Sequence, residues 1–179
     1  MKHTIKQMTM ALFVAGAFLL PIQAAVPTAP STEERISKSI RKELLTMPFL
    51  TIFDNLSYQI DGDTVHLYGQ VIRPTLKSNA ANRVARLEGI AHVNNQIEVL
   101  PLSPFDDRVR VAVARAVYGQ PALNRYALGA NPSIRIIVKN GNVALEGVVN
   151  DTGARNIANI QANGVFGVFS VTNNLRVEK

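Results

Sequence analysis

The chain contains no cysteine among its 179 residues. That excludes disulfides, thiolate zinc sites, thiol catalysis and a lipid anchor on an N-terminal cysteine. Histidine is nearly as scarce, at three residues. His3, His66 and His92 lie far apart in sequence, without the close spacing of a metal site. The pair Asp61 and Asp63 flanks a glycine but lacks the further oxygen ligands of a calcium loop, so it reads as turn chemistry. No G-x-S-x-G element is present. These absences argue against an enzyme, and no cofactor or small-molecule substrate is indicated. The apolar run Met10 to Leu20 is 11 residues long, short of the ~20 that a membrane-spanning helix needs.

That run follows Lys2 and Lys6 and precedes Pro21, Ala24 and Ala25. The order predicts a secretory signal peptide over residues 1–24, cleaved after Ala24 or Ala25. Residues 25–32, rich in proline and threonine, read as a disordered N-terminus. The expected location is the periplasm, with the fold held by burial alone. At 47% hydrophobic residues the chain can supply that burial.

The net charge of +6 is unevenly placed. Residues 33–100 hold eight basic and eight acidic residues, whereas residues 106–179 hold nine basic and five acidic. The excess outside the signal therefore lies in the second half. An arginine-rich half in an exported protein points to an anionic partner, phospholipid or acidic protein, and away from nucleic acid.

The most informative positive feature is a duplication. Gly69-Gln70-Val71 recurs as Gly147-Val148-Val149, and Gly89, Val93, Asn95, Ile97 and Val99 recur as Gly167, Val171, Asn173, Leu175 and Val177. The offset stays at 78 from Tyr58/Ile136 to Val99/Val177. The pattern within each copy predicts helix, hairpin, helix and strand. Ser31 and Glu34 suggest a capping box before the stripe Ile36, Ile40 and Leu44. Pro74 opens the second helix, and Asn140-Gly141 is a two-residue hairpin turn. Asp106 and Asp107 are expected to cap the third helix, whose stripe is Val109, Val113 and Val117. The expected fold class is α+β: two tandem α-β-β-α-β units, each a three-stranded sheet with two helices on one face. The boundaries are 33–100 and 106–179, with a linker at 101–105.

The V-x-L-x-G-x-V strand, the small-residue helix and the closing G-[IV]-x-x-V-x-N-x-[IL]-x-V together resemble the BON domain (bacterial OsmY and nodulation). In the second copy they read Val143-Ala-Leu145-Glu-Gly147-Val-Val149 and Gly167-Val168-Phe-Ser-Val171-Thr-Asn173-Asn-Leu175-Arg-Val177. The resemblance implies attachment to phospholipid membranes and roles in envelope integrity and osmotic stress.

Comparing the copies separates shared residues from those unique to one copy. Gly69, Gly147, Gly89, Gly167, Asn95 and Asn173 are shared and read as structural: the first pair as a bulge or a close helix approach, the second as turns needing positive φ. The second copy alone carries Ile157 and Ile160 in place of Asn79 and Asn82, and Phe166 and Phe169 in place of Glu88 and Ala91. With Arg155 these form a candidate lipid or partner site. Ile137 and Val148, on the outward strand parity, either extend it as an apolar sheet face or pack against the first unit. A second expectation is a chaperone or adaptor that binds exported polypeptides through that face or an open sheet edge. A third is an accessory part of a secretion machine.

Overall fold

The computed structural model describes residues 31–178. The stretch expected to be a signal peptide and most of the segment read as a disordered N-terminus lie outside them. Two α+β units follow one another, each with two helices packed on its sheet.

The first unit opens with α1, Thr32–Leu45. Ser31 caps it, its hydroxyl accepting the Glu34 N–H at 3.1 Å. The reciprocal half of the expected capping box is replaced by an ion pair, Glu34 to Lys38 at 2.8 Å. The hairpin β1, Asn55–Asp61, and β2, Thr64–Val71, is antiparallel. Helix α2, Pro74–Val84, starts on the proline, which has no N–H to lose there. It then returns the chain to lie parallel to β2, which becomes the central strand.

The third strand is interrupted: β3 is His92–Asn95 and β4 is Glu98–Val99. The shared asparagine explains the break. Asn95 Oδ1 accepts the Ile97 N–H at 3.2 Å, and its Nδ2 donates to the Lys77 carbonyl of α2 at 2.8 Å. One side chain thus closes the kink and ties it to the helix, while Ile97 drops into the core at 1% exposure.

The second unit repeats this with α3, Pro104–Tyr118, a 3₁₀ turn at Asn124–Ala127, β5, Ile134–Lys139, β6, Asn142–Val149, α4, Thr152–Asn163, β7, Ser170–Asn173, and β8, Arg176–Val177. Asn173 makes the same two bonds, to Leu175 N at 3.2 Å and Arg155 O at 2.9 Å. The helix stripes correspond at an offset of 73, because the second unit has five extra residues at 128–132.

Three expectations need correction. Helix α3 begins at Pro104, inside the stretch read as linker, and its cap is Ser103, which accepts the Asp106 N–H at 3.1 Å. Asp106 is fully buried instead, and its carboxylate accepts Asn140 N at 2.9 Å and Gly141 N at 2.8 Å. It fastens the hairpin turn to the helix start. Gly69 and Gly147 answer to a strand carbonyl rather than to a helix. At φ +117 in both, a Cβ would lie 2.0 Å from Asn55 O and 1.9 Å from Ser133 O.

Each unit has its own core, one around Ile40, Leu67 and Leu76, the other around Val113, Ile136 and Leu145. The loop 51–53 of the first unit reaches across. Ile52 and Phe53 pack against the second core, and the Ile52 carbonyl accepts the Ile136 N–H at 2.8 Å. Arg135 donates to Thr51 O at 2.8 Å, and Lys139 pairs with Glu98 at 2.5 Å.

Candidate functional site

Two phenylalanines stack at one end of the second unit, and a third, Phe166, stands three residues before one of them. Phe105 stands in the first turn of α3, and Phe166 and Phe169 flank the turn from α4 to β7. Phe166 is 99% exposed and Phe169 74%. The Phe105 and Phe169 rings stack with centroids 6.0 Å apart and 24° between their planes.

The backbone beneath them is built for this arrangement. Asn140 and Gly141 both have positive φ, 53° and 75°, as a two-residue hairpin turn requires. Gly141 also seats a ring: a Cβ there would lie 2.5 Å from Phe169 Cδ2. Gly167, at φ +92, lies against Phe105 Cζ, where a Cβ would stand 3.3 Å away. Asp106 holds the same turn by its two amides, so the carboxylate indirectly positions Phe169. The turn on which the Phe169 ring rests is thus held by a buried carboxylate.

From Phe105 the outer face of α3 continues through Arg108, Val111, Ala112 and Arg115, at helical spacing. These residues, with Asp107, line a shallow recess of about 430 Å³. Val111 is 43% exposed. The surface therefore joins an aromatic tip to a helix face bearing two arginines. In the first unit the equivalents of Phe105, Phe166 and Phe169 are Thr32, Glu88 and Ala91. The arrangement belongs to the second unit alone.

The other expected residues distribute differently. Ile160, on α4, is 64% exposed, while Ile157 is half-buried against the core. Arg155 is exposed but stands in the first turn of α4, so the helix carries it some 12 Å or more from the phenylalanines. Its guanidinium donates to Asn173 O at 3.3 Å, beside the strand break. Ile137 is 5% exposed and offers no surface. Val148 is half-buried and faces the cleft between the units. Arg135, on the same strand as Ile137, is half-buried, and burial lowers its pKa against the opposing pull of Tyr118 and Asp54. Tyr118 donates to the Ile134 carbonyl at 2.5 Å, and burial raises its pKa to about 12.

The sequence reading places Phe105 in the linker, outside the candidate site. Aligning the helix stripes at 73 rather than 78 would have set it opposite Thr32. Among the described residues no group of three or more His, Cys, Asp or Glu could hold a metal ion. No described helix is long and apolar enough to cross a membrane.

The sequence pattern of the BON domain matches residues 32–101 and 120–179. The chain belongs to the BON domain family. BON domains are associated with membrane and phospholipid binding, are generally non-catalytic and typically occur in periplasmic proteins. The second matched segment begins after α3, the helix that carries Phe105, Arg108 and Arg115. No curated protein matches this BON protein. Two solved structures similar to it are of CdsD, a structural protein of the type III secretion system of Chlamydia trachomatis. One, its C-terminal domain, is 12% identical with a TM-score of 0.33, covering 79% of this chain and 96% of that one. The other is 12% identical with a TM-score of 0.31, covering 81% and 94%.

Proposed function

We propose that this protein is a periplasmic, non-enzymatic dual-BON module that docks on anionic phospholipid through its second unit. The observation that carries the reading is the aromatic tip of Phe105, Phe166 and Phe169 continuous with the arginine-bearing face of α3. Phenylalanine held out in water exposes apolar area that a bilayer interface would cover. Arg108 and Arg115 would contribute about 1 kcal/mol each near an anionic surface, a term that salt screens. The first unit, net neutral and without the phenylalanines, would face away from the membrane. Such docking fits a role in envelope integrity and stress tolerance.

Co-sedimentation with vesicles tests the reading. Binding is expected to vesicles containing phosphatidylglycerol, to weaken as salt rises, and to be much weaker to pure phosphatidylcholine. Equal binding to both compositions, or none to either, would contradict it.

A further inference from the structure

The first hairpin strand of each unit, β1 and β5, lies at a sheet edge, and the two edges are treated in opposite ways. The hairpins close on the pairs Asp61/Thr64 and Lys139/Asn142, and hydrogen-bonded pairs alternate from there. The N–H and C=O groups of Leu56, Tyr58 and Ile60 therefore point away from β2, and those of Ile134, Ile136 and Val138 away from β6.

On β5 this edge is occupied. Tyr118 donates to Ile134 O at 2.5 Å, Ile136 N donates to Ile52 O at 2.8 Å, and Arg110 Nη2 donates to Val138 O at 2.8 Å. Arg110 is 2% exposed, held there as a cap. On β1 no such bond reaches the backbone of Leu56, Tyr58 or Ile60 among the described residues. The sequence accounts for the difference. At the offset of 73 the capping residues Arg110 and Tyr118 become Ser37 and Leu45, which are too short or too apolar to reach. The Ser37 hydroxyl meets the Tyr58 hydroxyl at 2.9 Å instead.

The open edge does not face empty solvent. It borders a cleft of about 700 Å³ between the units, lined by β1 and Arg41 from the first and by Arg135, Val148 and Arg176 from the second. Two acids also line it. Asp54, held by Thr51 N, Thr51 Oγ1 and Ile72 N, and Glu178 together stand against three arginines, so the lining keeps a net positive charge. An unpaired strand edge binds another extended backbone, and the cationic lining selects for negative side chains. The Ile52 carbonyl on β5 shows the same kind of main-chain contact already made at the equivalent position of the second unit.

We propose that the β1 edge takes up an extended acidic peptide as an added strand. Its backbone pairs with Leu56, Tyr58 and Ile60, and its carboxylates meet Arg135 and Arg176 across the cleft. This is a protein-binding site independent of the membrane reading, since it lies in the cleft and uses none of the phenylalanines.

The test uses the whole protein and a fluorescein-labelled octapeptide of alternating glutamate and valine. Two control probes carry lysine for glutamate, or N-methyl groups on the amides that face β1. The account expects either change to weaken binding about tenfold or more. It also expects amide exchange at Tyr58 and Ile60 to slow when the acidic probe binds. The double substitution Ser37→Arg with Leu45→Tyr transplants the caps of β5 and should abolish binding. Should that variant fail to fold, Arg176→Gln is expected to reduce the preference for glutamate over lysine while leaving N-methyl sensitivity intact. No binding of the acidic probe, equal binding of either control probe, or unchanged exchange at Tyr58 and Ile60 would overturn the proposal.

Discussion

The ring of Phe105 stacks on that of Phe169 at 6.0 Å, although one belongs to the first turn of α3 and the other follows α4. Only the fold joins them. Phe169 in turn lies across Gly141, whose N–H is held by Asp106, the residue after Phe105. A helix start, a hairpin turn and a helix-to-strand return are thereby locked together beneath an exposed aromatic surface.

Asp106 is the first point to test. It is fully buried and accepts two backbone N–H groups. Asp106→Ala leaves both donors without a partner, so a loss of about 2 to 5 kcal/mol is expected in urea unfolding. Asp106→Asn keeps one acceptor oxygen and should lose less. A loss below about 0.5 kcal/mol for the alanine variant, the range of an ordinary surface substitution, would refute the clamp.

Gly147→Ala should be among the most damaging single changes. Its φ of +117 is unfavourable for any side chain, and the new Cβ would lie 1.9 Å from Ser133 O. A cost of about 3 kcal/mol or more is expected by thermal or urea unfolding, with Gly69→Ala in the first unit behaving alike. Gly62→Ala meets nothing within 4 Å and bears only the conformational cost of its φ of +60. It should therefore lose less than either. Equal losses at all three glycines would show that the carbonyl contact is not what selects glycine.

Alkaline pH gives a third test. Tyr118 is raised from 10.0 to about 12 in the folded protein, mainly by burial. Between those values the unfolded chain gives up the phenolic proton while the folded chain keeps it. Stability supplied by this group is therefore complete below pH 10 and is lost as pH rises towards 12. Tyr118→Phe removes that titration, so its unfolding free energy should fall less steeply over this interval. Parallel slopes for the two proteins would contradict the assignment.

Much of the architecture was legible because a duplication exposes it. Apolar residues at fixed offset marked the strands, and Asn140-Gly141 marked the turn. The paired asparagines could be recognised as shared, but the interruption they create, two bonds from one side chain, has no periodic signature. Asp106 and Asp107 look like caps because acids favour helix starts. Ser103 occupies that role, and burial under the hairpin is a tertiary fact. Ile137 has the parity of an outward residue, and is nonetheless nearly inaccessible at 5% exposure. Arg155 shares a helix with Ile160 but stands at its far end from the phenylalanines, a separation that residue type alone does not show. Phe105 has no partner at the strand offset, because five extra residues at 128–132 shift the first helix of each unit to an offset of 73.

The arginines of α3 should supply selectivity rather than adhesion alone. Arg108→Gln with Arg115→Gln is expected to lower binding to phosphatidylglycerol vesicles roughly tenfold or more at low salt, through loss of about 1 kcal/mol per arginine. Arg155→Gln, remote from the tip, should change it much less. A reversed order in co-sedimentation would move the docking surface to the start of α4.

The most direct measurement uses the absence of tryptophan from the chain. Phe166→Trp places a single fluorophore at the most exposed ring without disturbing the core. On addition of phosphatidylglycerol vesicles its emission should shift to the blue and be quenched by brominated acyl chains, while phosphatidylcholine vesicles leave it nearly unchanged. Emission that is the same with and without anionic vesicles, under conditions where the protein co-sediments with them, would show that the aromatic tip does not enter the membrane.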